Sequence, residues 1–177
     1  MLLKNKNGFT LIELLVVIAI IGLLSLVVFV NIQNAREKAR IAKMQSDLAT
    51  IRKAIEIARI NEDKVLKDIT KNNCSVCSCS TVSCNFQCEE CRQTMEASFQ
   101  ALGLGGAILD PWGKYYAIDE NELEGGEADC RKDIVASLGP YNWSDFEKDF
   151  WGMIGKFYNE GRIIDIPFYS LQCLNQQ

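Results

Sequence analysis

The sequence predicts an α+β protein: a long N-terminal α-helix, half of it transmembrane, packed on a small antiparallel sheet head rich in disulfides. Three observations predict it. A long apolar run with a single charge lies near the start of the chain, a helical pattern continues out of that run without a break, and all 8 cysteines fall in the remainder.

The apolar run extends from Phe9 to Val30, and between Leu14 and Val30 nothing is charged and only Ser25 is polar. A bilayer core of about 30 Å needs roughly 20 mostly apolar residues at about 1.5 Å rise each. Phe9 to Val30 meets that length as a helix. Glu13 lies inside the run, near its start. An ionised carboxylate in hydrocarbon is costly unless something pairs with it. Lys4 and Lys6 precede the run on the water side, so the partner of Glu13 is expected in another chain.

Lys4-Asn5-Lys6-Asn7-Gly8 followed by Phe9-Thr10-Leu11-Ile12-Glu13 resembles the leader junction of the type IV pilin superfamily. The resemblance implies a prepilin peptidase that cuts between Gly8 and Phe9 and methylates the new amino terminus at Phe9. It implies that Glu13 pairs with the amino terminus of a neighbouring subunit during assembly. It further implies a helical homo-oligomeric filament, with an assembly platform and minor pilins as partners. The chain would be a single-pass membrane protein with an extracytoplasmic head, and afterwards part of a cell-surface or periplasmic filament. A secretory signal peptide would have a shorter apolar core and a small-residue cleavage site, and Asn31 to Arg36 offers no A-x-A site. A plain anchor explains the length but neither Glu13 nor the Gly8-Phe9 junction.

At 177 residues there is room for one compact domain beyond the anchor. A net charge of −4 argues against a nucleic-acid partner, which calls for clustered positive charge. The chain has 0 histidines, which removes the commonest general base and metal ligand. No G-x-S-x-G, Walker or H-E-x-x-H motif is present. The acids Asp119, Glu120, Glu122 and Glu124 read as a solvated loop. The expectation is a protein that is not an enzyme.

No proline or glycine interrupts the chain between Ser25 and Thr70. Ile41, Met44, Leu48, Ile51, Ile55 and Ala58 alternate at spacings of three and four, one face of a helix. Charged residues from Arg36 to Arg59 occupy the rest. One helix is expected from about Phe9 to about Leu66, membrane or filament core over 9–32 and amphipathic over 33–70, after a leader at 1–8. The head, 71–177, opens with a cysteine-rich loop at 74–91. A short helix follows over Glu89 to Leu102, then a turn around Pro111 and Gly113 leading into a strand that ends at Ile118. A second strand is expected over Asp133–Leu138. Ser144 and Glu147 form a capping-box pattern for a helix whose apolar face is Phe146, Phe150, Met153, Ile154 and Phe157. A last strand is expected over Ile163–Leu171.

In the head, Leu109-Asp110-Pro111-Trp112-Gly113, Tyr116, Gly125-Gly126 and Ser137-Leu138-Gly139-Pro140 resemble the major pseudopilins of type II secretion and related pilins. The residues themselves read as structural: proline and glycine fix a turn and tryptophan fills the core. The resemblance implies a calcium loop at the Leu138 carbonyl, Asn142 and Asp145. Calcium needs six to eight hard oxygen ligands. Here Asn142 replaces the usual aspartate and the later acids give way to a helix start. No cofactor is required by this reading, and calcium is the lesser expectation.

The cysteines Cys74, Cys77, Cys79, Cys84, Cys88, Cys91, Cys130 and Cys173 are an even set in an exported domain, which favours disulfides. The alternative is a membrane-anchored zinc or redox module, since Cys74-x-x-Cys77 and Cys88-x-x-Cys91 satisfy the spacing of a four-thiolate knuckle. The intervening Cys79 and Cys84 suit a bridge network better, and zinc is not expected.

Overall fold

The computed structural model describes residues 9–71, 79, 83–126 and 130–175, apart from the side chains at 26, 27, 30, 146, 147, 150 and 151. Gly8, Cys74, Cys77 and the side chains of Phe146 and Phe150 therefore lie outside the described residues. The chain divides into two compact units, Met1–Ala39 and Arg40–Gln177.

Helix α1 spans Leu11–Glu62 without interruption, as the absence of proline and of further glycine after Gly22 predicts. Its first part is apolar on all sides, with Leu11, Ile12, Leu14, Ile18, Leu23 and Phe29 all exposed. The Ser25 hydroxyl donates to the Ile21 carbonyl at 2.7 Å, so this polar group is satisfied within the helix. Among the described residues no helix is long and apolar enough to cross a membrane.

The second part carries the predicted stripe. Met44, Leu48, Ile51, Ile55 and Ala58 are buried and Ile41 packs against them. The helix stops earlier than expected because Asp63 takes a left-handed backbone (φ 52), which an aspartate tolerates. The residues read as its last turn form a separate helix, α2 (Leu66–Thr70), which buries Leu66 and Ile69.

Helix α3 (Glu89–Ala101) buries Cys91, Met95 and Phe99 in the same core. The sheet is a three-stranded antiparallel meander, β1 (Ala117–Asp119), β2 (Ile134–Ala136) and β3 (Ile163–Asp165), in the order β1-β2-β3. The register aligns Ile118 with Val135 and Val135 with Ile164. Alternation places Ala117, Ile134, Ala136 and Ile163 on the opposite face. With Phe86, Trp143, Ile154 and Phe157 they line an apolar cavity of about 120 Å³.

The strand expected over Ile163–Leu171 is only β3, since Pro167 has no N–H for a ladder. Ser170 instead caps α6 (Leu171–Leu174), its hydroxyl accepting from the Cys173 amide at 3.3 Å. The helix expected from Ser144 is two: α4 (Trp143–Lys148) and α5 (Phe150–Asn159). Its predicted capping box is displaced. Asn142 precedes α4 and its amide donates to Asp145 at 3.2 Å, while the side chain of Glu147 lies outside the described residues. Asp149 breaks the run (φ −144, ψ 67) and caps α5 by accepting from Gly152 at 3.1 Å.

Candidate functional site

The N-terminal end of α1 joins Glu13 to Thr10, a residue the sequence reading passed over. Thr10 precedes the helix and forms a reciprocal box with Glu13. The Glu13 Oε2 accepts from the Thr10 amide at 2.8 Å and from its hydroxyl at 2.7 Å. The Thr10 hydroxyl in turn accepts from the Glu13 amide at 3.4 Å. The pattern Thr10-x-x-Glu13 before an apolar run was the available signal. Glu13 thus starts the helix as well as carrying its charge, and cutting at Gly8-Phe9 leaves every atom of this box in place. Both bonds accepted by the carboxylate fall on one oxygen. Phe9 is 83% exposed beside it.

In the second unit, several charges that read as solvated are buried. Arg59 is 2% exposed, and Glu122 and Asp133 are each 1% exposed. The Arg59 guanidinium pairs with Asp133, donates to Glu122 at 3.3 Å and reaches the Pro167 carbonyl at 2.7 Å. Glu122 also accepts from the Tyr169 and Ser170 amides at 2.9 and 2.7 Å, and Asp133 from those of Asn121 and Glu122 at 2.6 and 2.7 Å. Arg59 therefore pins the end of α1 to the acidic loop and the C-terminal segment. The signal was parity: Tyr116, Ile118, Glu120 and Glu122 are alternate residues, and all are buried.

Glu120 belongs to the same side. One oxygen accepts from the Thr70 hydroxyl at 2.8 Å, while Oε2 is buried without a partner among the described residues. Burial, reinforced by Asp133 and Asp119, pushes its carboxyl up to about 8 against the opposing Thr70 bond. A folded pKa above the ordinary value means the folded state holds the proton longer, so stability falls as pH rises from about 4.5 to about 8. Glu120→Gln keeps the neutral shape. It is expected to raise the melting temperature at pH 8 and to leave it nearly unchanged at pH 4.5. Equal shifts at both pH values would refute the burial of a protonated carboxyl.

The Asp110-Pro111-Trp112-Gly113 turn does more than fill the core. Asp110 is buried, and its Oδ1 accepts from the Trp112 and Lys114 amides at 2.9 and 3.0 Å. Its Oδ2 accepts from the Ser137 hydroxyl at 2.6 Å and the Gly139 amide at 3.2 Å. Trp112 is only half-buried, lying under the Arg162 guanidinium at 4.7 Å. Gly139 sits at φ 60, where any Cβ would collide with that guanidinium.

The residues matching a calcium loop do not fit one. The Leu138 carbonyl accepts from Tyr141 at 3.3 Å, the Asn142 Oδ1 from Asn85 at 2.9 Å, and Asp145 from the Asn142 amide. Among the described residues no group of three or more cysteine, aspartate or glutamate side chains is placed to hold a metal ion.

Among the described residues six cysteines form bridges: Cys79–Cys91, Cys84–Cys88 and Cys130–Cys173. The four-thiolate knuckle needs Cys88 and Cys91, and both are consumed here. Cys84–Cys88 closes the turn into α3, and Cys130–Cys173 ties the acidic loop to α6.

A family model described as the prokaryotic N-terminal methylation motif matches residues 3–29. The chain is 30% identical over 137 residues to the type IV major fimbrial protein FimA of Dichelobacter nodosus, covering 76% of this chain and 71% of that protein. It is 34% identical over 62 residues to the type II secretion system core protein G of Klebsiella pneumoniae, covering 35% of this chain and 44% of that protein. It is 29% identical over 68 residues to a fimbrial protein of Pseudomonas aeruginosa, covering 38% and 44%. No solved structure matches.

Proposed function

The chain belongs to the type IV pilin superfamily, a family of structural subunits and not of enzymes, and from that premise we propose that it polymerises through its N-terminal helix into a surface or periplasmic filament. A prepilin peptidase removes residues 1–8 and methylates Phe9. Before assembly the apolar part of α1 anchors the chain in the membrane with the head outside. During assembly the Glu13 carboxylate receives the amino terminus of a neighbouring subunit, and an assembly platform and minor pilins act on the chain. Once α1 is packed among copies of itself, its exposed apolar surface leaves water and lipid together.

The observation that carries this reading is the Thr10–Glu13 box, which fixes a lone carboxylate at the start of a helix exposed on all its apolar sides. A plain anchor gains nothing from a charge there, whereas a pairing site requires it. The test is co-expression with a prepilin peptidase, followed by intact-mass measurement. The product is expected to begin at Phe9 and to carry one added methyl. A product that still begins at Met1, or one cut near Ala35, would contradict the reading.

A further inference from the structure

We propose that the Lys114 ammonium is the resident cation of the 138–142 loop, and that this head is held without a divalent ion where the pseudopilin resemblance implies calcium. Lys114 is 5% exposed although it follows a surface turn. Its Nζ donates to the Gly139 carbonyl at 2.9 Å and to the Tyr141 carbonyl at 2.6 Å. Backbone carbonyls converging on one point are what a hard cation binds, and here an ammonium already occupies that point.

The delivery of this ammonium is built into the turn before β1. Asp110 accepts the Lys114 amide with one oxygen and the Gly139 amide with the other, so a single carboxylate sets both the lysine backbone and the loop it reaches. Ser137 is bound to the same Asp110 oxygen, which fixes where the loop leaves β2. On the far side, Arg162 lies over the Trp112 and Tyr141 rings at 4.7 and 5.4 Å. A second positive charge therefore flanks the loop, and a divalent ion at the carbonyls would have to displace one cation and sit near another. Asn142 and Asp145, the remaining oxygens that a calcium ion would need, are turned to Asn85 and to the start of α4. The Asp110-to-Lys114 turn thereby has a chemical role: it supplies, covalently, the charge that a bound ion would otherwise provide.

The test uses the full processed chain in detergent. Melting temperature is measured with excess chelator and with millimolar calcium, for the native chain, Lys114→Met and Lys114→Ala. The native chain is expected to melt at the same temperature in both solutions, and both variants are expected to melt lower or fail to fold. A saturable rise in the native melting temperature with calcium would overturn the proposal. So would a Lys114→Met chain as stable as the native one, since two buried carbonyls would then have lost nothing.

Discussion

Glu13→Ala is expected to abolish filament assembly while membrane insertion and the folded head persist. Two opposite charges attract far more strongly in a low-dielectric filament core than in water. In a filament that contribution would recur at every subunit. Removing the charge makes insertion into hydrocarbon easier, so lost assembly could not be blamed on a poor anchor. Alanine also removes the carboxylate half of the Thr10 box, a small loss for a helix running from Leu11 to Glu62. Glu13→Gln separates the two effects, since glutamine can close the same box without a charge. Both variants are expected to leave no pelletable filaments, with the monomer present at native level in the membrane. A native filament yield from Glu13→Gln would refute charge pairing.

Arg59→Ala is expected to cost the head about 3–5 kcal/mol, the usual consequence of removing one partner from a buried ion pair. That is a large fraction of the roughly 5–15 kcal/mol by which a domain is stable. The reason lies in Glu122 and Asp133. Both are buried, and without the guanidinium they would face each other as unpaired carboxylates. Burial already holds the Asp133 carboxyl above its ordinary value even with Arg59 present. Urea unfolding of the full chain measures the loss. Adding Glu122→Gln and Asp133→Asn to Arg59→Met is expected to recover much of it, because neutral partners remove the uncompensated charge. A cost for Arg59→Ala near that of an exposed pair, under about 1 kcal/mol, would show the cluster to be open to water.

The core stripe of α1 was legible because helical spacing is a local property: Met44 to Ala58 needed no knowledge of what they pack against. The same holds for α3, β1 and β2, each bounded by glycines, prolines or a cap. Pairing charges was not legible in this way. Arg59 follows Ala58 directly and looked like another polar residue beside the stripe, but its partners are Glu122 and Asp133, far along the chain. A run of acids reads as solvated by composition alone, whereas Glu120 and Glu122 continue the inward side of β1. The loop that resembles a calcium site is a related case. Leu138, Asn142 and Asp145 matched by position, while Lys114, whose ammonium reaches the Gly139 and Tyr141 carbonyls, lies in a different motif. Cys88 and Cys91 matched zinc spacing, yet spacing cannot show that each thiol already faces Cys84 and Cys79. The Thr10–Glu13 box is legible as a capping pattern at the mouth of the helix.

The most direct measurement of self-assembly through the apolar half of α1 is photo-crosslinking from that surface. A benzophenone side chain placed at Ile21 or Leu24, both exposed on α1, would be irradiated in cells that carry the processing and assembly machinery. The account predicts a ladder of crosslinked multimers of this chain, present only when residues 1–8 have been removed and lost in Glu13→Gln. Crosslinks to lipid alone from the processed chain, with no multimer at either position, would contradict it.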